Sequence, residues 1–66
     1  MKHLGARRKA VNLTQRELAA RLGIKQSALA MWESGANTPP TKYLLDLAKV
    51  LNCTVEALLR DEEVEA

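Results

Sequence analysis

Covalent chemistry has little to work with in this chain. A catalytic site needs a nucleophile beside a base, or carboxylates paired in a cleft. The sequence offers one cysteine, Cys53, one histidine, His3, and eight acids of which four fall between Asp61 and Glu65. Cys53 has no cysteine to pair with, and together with a histidine fifty residues away it makes no metal site without further ligands nearby. No catalytic group, metal or cofactor is therefore expected. What remains is recognition chemistry on a polarised background. From Met1 to Glu33 there are seven Lys/Arg against two Glu, and from Ser34 to Ala66 three against six acids, so a net charge of +2 hides a basic half and an acidic half. A face turned toward a polyanion produces such a split, and so do two differently solvated faces.

The elements that would position any such face are helices. Sixty-six residues make one small domain, which hides only about 60% of its chain surface on folding and leaves no room for a large substrate pocket. Apolar residues make up 47% of the chain with no Phe, one Trp and one Tyr, which favours an ordered, helix-rich globule. No apolar run approaches the ~20 residues of a membrane span, and none follows the basic start as in a signal peptide, so a cytoplasmic protein is expected.

Leu4, Ala6, Ala10 and Val11 interleave with Arg7, Arg8 and Lys9 in a short basic helix that Asn12 ends. Thr14-Gln15-Arg16-Glu17 spells a capping box ahead of the apolar Leu18, Ala19 and Leu22, and Gly23 stops that second helix. Lys25 to Ser34 is the third, with Leu29 and Trp32 on a face separate from Gln26, Ser27, Ala30 and Met31. A loop with Pro39-Pro40 follows, then the chain's most regular amphipathic stripe, Leu44, Leu47, Ala48 and Leu51. Thr54 caps a last short helix through Arg60, with Val55, Leu58 and Leu59 apolar, and residues 61–66 are an acidic tail expected to fray. The prediction is an all-α, compact five-helix domain over residues 1–60.

The second and third helices, joined at Gly23, have the spacing of a helix-turn-helix. Ala19 comes four residues after Gln15 and Gly23 four after Ala19, with Ile24, Leu29 and Trp32 placed to bury against Leu18 and Leu22. Thr14 to Gly35, TQRELAARLGIKQSALAMWESG, closely resembles the helix-turn-helix of the phage repressor and Cro family of transcription regulators. Arg8, the Glu33-Ser34-Gly35 that closes helix three, the proline-bearing loop and LLDLAKVLNCTVEALL from Leu44 to Leu59 extend the likeness to roughly nine tenths of the chain. It implies a lambda-repressor-like domain that binds a double-stranded DNA operator with inverted half-sites as a homodimer, with helix three in the major groove and dimer contacts near Val55 to Leu58. A small repressor that blocks polymerase, in the cytoplasm at the nucleoid, is the activity it suggests.

Residue by residue, the resemblance makes Gln15 a phosphate clamp and Gln26 and Ser27 base-reading positions, where a Gln amide suits adenine N6 and N7. Ala30 and Met31 match further reading positions and suit thymine methyls, and Asn37 matches a backbone-contacting loop position. Arg8 and Glu33 match a pair that joins helix one to the end of helix three and orients the reading helix. The sequence departs from the family where Lys25 replaces a hydroxyl cap, leaving an ammonium for a phosphate, and where Ala36 and Thr38 replace basic loop residues. Trp32 and Cys53 read as core residues, His3 as solvated. The apolar Ala30 and Met31 also fit a second reading, an antitoxin or interaction adaptor of the same fold whose partner is a toxin or regulatory protein.

Overall fold

Five leucines, one from each helix, meet at the centre: Leu4, Leu18, Leu29, Leu47 and Leu58 are all essentially inaccessible to solvent. The computed structural model describes Met1 and residues 3–63, and among these the order is α1 (Leu4–Ala10), α2 (Gln15–Leu22), α3 (Gln26–Ser34), α4 (Thr41–Val50) and α5 (Val55–Glu63), with no strand. The α2 helix packs on α3 and α4, α4 on α5, and α1 on α3. All five helices, 7 to 10 residues long, are too short to persist alone in water, so this shared core supplies most of their stability.

Chain reversal is achieved by one device used three times. At the end of α2 the Gly23 N–H donates to the Ala20 carbonyl at 3.2 Å and the Ile24 N–H to the Ala19 carbonyl at 3.0 Å, with Gly23 left-handed at φ 71°. Asn12 closes α1 and Asn52 closes α4 in the same way, at φ 61° and 57°, Leu13 reaching back to Arg8 and Cys53 to Ala48. Asparagine is the residue that best tolerates this conformation after glycine. In each case the next residue, Leu13, Ile24 or Cys53, turns inward and packs against the core.

The start of α2 is the capping box expected from its sequence. The Glu17 N–H donates to Thr14 Oγ1 at 3.0 Å and the Thr14 N–H to Glu17 Oε1 at 2.8 Å. The backbone bond from Thr14 is the main cause that holds the Glu17 carboxyl below its ordinary value, with the Thr14 hydroxyl bond and the Arg21 charge adding to it. A carboxylate whose folded pKa is depressed contributes stability above its unfolded value, about pH 4.3, and loses it as the pH falls through the folded one. Thermal midpoints of the parent and Glu17→Gln should therefore differ at neutral pH and converge in acid. A gap that is unchanged by acid would show that the carboxylate's charge plays no part in the cap.

Helix α1 turns a different face inward than its composition suggests. Leu4, Arg8 and Val11, at i, i+4 and i+7, form the buried or half-buried side, whereas Ala6 and Ala10 lie a half-turn away and are exposed. Met1 is buried instead, and its ammonium donates to the Trp32 carbonyl at 2.8 Å, meeting the negative end of α3. Trp32 is a core residue as expected, its ring 5.4 Å from that of Tyr43 on α4. Thr54 caps α5 through the Ala57 N–H at 2.9 Å, but the helix runs three residues beyond Arg60. No Gly or Pro breaks the chain there, and Glu is a good helix former. The final three residues of the tail lie outside the described residues.

Candidate nucleic-acid interface

A run of polar side chains crosses from α1 through α2 to the exposed start of α3. Arg8 is buried, and its Nε donates to Glu33 Oε2 at 2.7 Å, one terminal nitrogen to Glu33 Oε1 at 3.4 Å and the other to the Leu13 carbonyl at 2.8 Å. Glu33 Oε1 also accepts from Gln15 Nε2 at 3.0 Å, and Gln15 Oε1 accepts from Gln26 Nε2 at 3.4 Å. The directions are forced from one end. An ionised carboxylate only accepts, so Gln15 must turn its N–H toward Glu33 and its oxygen toward Gln26, which must in turn present an N–H. Among the described residues this leaves Gln26 with its Oε1 and one N–H uncommitted at the surface, an acceptor and a donor side by side. The expected pairing of Arg8 with Glu33 is present, and Gln15 joins it.

Gly5 sits against this cluster, in a role that no local sequence pattern signals. A Cβ at that position would stand 3.0 Å from Glu33 Oε1, a carboxylate oxygen already held by Arg8 and Gln15 and so unable to swing away easily. Arg8, Thr14, Gln15, Arg16 and Gln26 line an open groove between the amino ends of α2 and α3. Arg16 is exposed there beside Gln15 and is a further candidate that sequence reasoning passed over; its place in the first turn of α2 was the available signal.

The other anticipated positions divide into a pair and three separate side chains. Asn37 donates through Nδ2 to Met31 Sδ at 3.4 Å and through its backbone N–H to the Met31 carbonyl at 3.2 Å, and Met31 remains 48% exposed. Lys25 precedes α3 without capping it, as its side-chain chemistry predicts, and is exposed like Ser27; Ala30 is half-buried. Leu58 is buried inside the domain, and among the described residues the large apolar side chains left exposed are Leu59 on α5, Leu45 on α4 and Met31 on α3. Cys53 is half-buried against the core. The described residues contain no group of His, Cys, Asp and Glu able to hold a metal, and none of their helices is long and apolar enough to cross a membrane.

Two short helices locked around Ala19 and Gly23, with the polar face of the second raised to solvent, define a helix-turn-helix domain. The chain belongs to the helix-turn-helix family of Cro and phage-repressor type, whose pattern matches residues 4–58. That family is one of transcriptional regulators rather than enzymes. The chain is 40% identical over 86% of its length to the HTH-type transcriptional regulator DicA of Escherichia coli, 38% identical over 80% to the HTH-type transcriptional activator BcrR of Enterococcus faecalis, and 33% identical over 86% to a repressor protein of Salmonella phage. It spans 42% of the first and 26% of each of the others, less than half of each relative. No solved structure gave a significant match.

Proposed function

We propose that this domain reads double-stranded DNA, with α3 in the major groove of an operator made of two inverted half-sites and a homodimer bridging them, and that it acts in the cytoplasm as a repressor by occupying a promoter. The observation that carries the reading is the relay from Arg8 to Gln26. It delivers an amide to the exposed start of α3 with one acceptor and one donor open, the complement of adenine N6 and N7. Ser27 lies beside it, Met31 supplies an apolar contact suited to a thymine methyl, and Gln15, Lys25 and Arg16 face the phosphate backbone. The basic first half of the chain supplies the matching field.

The test is selection from a random duplex pool at near-physiological salt. Enrichment of an inverted repeat with half-sites about one helical turn apart is the expected result. Gln26→Ala should then lower specific affinity by ~1–3 kcal/mol and relax one operator position, while Gln15→Ala should weaken every sequence through the lost phosphate contact and also flatten that position, since Gln26 loses the acceptor that orients it. A Gln15→Ala variant that relaxes that position but leaves affinity for all other duplexes unchanged contradicts the phosphate role of Gln15. A second reading, an antitoxin or adaptor of the same fold, draws on Leu45 and Leu59, at 63% and 46% exposure. Folded protein that enriches no sequence, and that holds a co-purifying partner regardless of salt, would favour it, since phosphate binding weakens steeply as salt rises.

A further inference from the structure

Methionine is a poor choice for reading a base. Three rotatable bonds let its thioether settle in many places, so an exposed one loses much rotamer freedom on binding and discriminates little. Met31 stands at mid-helix on the open face of α3, yet it is tied twice to one residue of the following loop. The Asn37 backbone N–H donates to its carbonyl at 3.2 Å, and the Asn37 Nδ2 to its sulfur at 3.4 Å. The loop itself is braced: Ser34 Oγ donates to the same Met31 carbonyl at 3.1 Å and accepts from the Ala36 N–H at 3.3 Å. Asn37 is thus set by the turn, and its amide reaches back to the sulfur.

From this arrangement we infer that Asn37 is a positioning residue for specificity, which holds the Met31 thioether in one orientation toward the DNA rather than serving as a phosphate contact. The amide bond to sulfur is weak as hydrogen bonds go, but it has only to choose among rotamers of similar energy. A side chain fixed before binding has less freedom to lose on contact, and the gain goes to the base pair it fits. This rests on the DNA reading proposed above.

The chain offers a clean cycle to test it. Asn37→Ala removes the bond to sulfur and keeps the backbone N–H that closes the turn, and Met31→Leu keeps an apolar side chain while removing the sulfur. Wild type, both single variants, the double variant and Met31→Ala, which locates the base pair that Met31 contacts, are carried through the same random duplex selection, then titrated on the selected duplex and on duplexes altered at single positions, with helical circular dichroism confirming that each is folded. Asn37→Ala is expected to reduce preference about fivefold at one base pair, the one that Met31→Ala also relaxes, a coupling typical of directly bonded neighbours. In the Met31→Leu background Asn37→Ala should change preference at that position by nothing measurable. If Asn37→Ala instead lowers affinity for all duplexes alike, in either background, Asn37 contacts phosphate and the inference is overturned. If the folded wild type enriches no sequence, the DNA reading beneath it falls first, a result distinguishable from the other.

Discussion

Leu47→Asp is expected to leave the chain without a cooperative thermal transition at 25 °C. Leu47 is fully buried in the middle of α4, within the cluster that includes Leu4, Leu18, Leu29, Leu44, Leu51 and Leu58. The substitution removes the burial of a leucine, about 1.5–3 kcal/mol, and places a carboxyl in an apolar setting where an unpaired polar group costs several kcal/mol more. A domain of this length has only about 3–5 kcal/mol of core-derived stability to lose. Leu45→Asp is the internal control, two positions away on the same helix but 63% exposed, where a change of about 0.5 kcal/mol or less is expected. Far-UV circular dichroism on heating distinguishes them. Two variants that melt alike would mean that the inward face of α4 has been assigned to the wrong residues.

That prediction is available from sequence because α4 writes its face in a regular period. Leu44, Leu47, Ala48 and Leu51 recur as an amphipathic helix demands, and all four are buried. Local chemistry was equally legible at Thr14, Gly23, Asn12 and Thr54, where the signal lies within three or four residues of the structure it determines. What the sequence conceals is whatever depends on distant parts meeting. Met1 is buried because its ammonium finds the end of α3, thirty-one residues on, and the two exposed alanines of α1 look as apolar in sequence as the residues that face inward. The same holds for the site. Gln15, Gln26 and Glu33 could be singled out by resemblance, but no spacing rule reveals that one oxygen of Glu33 receives both Arg8 and Gln15, or that Gly5 leaves space for it. Leu59 follows the buried Leu58 and has the same composition, yet the helix turns it outward.

Glu33→Ala is expected to cost about 3 kcal/mol of stability and, separately, to relax the operator position that Gln26 is proposed to read. The carboxylate accepts three bonds, two from Arg8 and one from Gln15. Its removal strands a guanidinium whose side chain is only 10% exposed, leaving it the Leu13 carbonyl alone. Breaking a buried pair from one side is costly for that reason, whereas replacing both partners with apolar residues of similar volume is often neutral. Urea titration of Arg8→Met/Glu33→Leu should accordingly recover most of the stability lost by Glu33→Ala. It should not recover sequence preference. Without an acceptor at residue 33 nothing obliges the Gln15 amide to turn its oxygen toward Gln26, and Gln26 is freed to present either end to the groove. Stability and discrimination therefore part company in the double variant: a melting curve near the parent's, with a flattened preference at one base pair. If the double variant binds with the parent's preference, the Arg8–Glu33 pair acts only as a strut between α1 and α3, and the orientation of Gln26 must be set by the DNA itself.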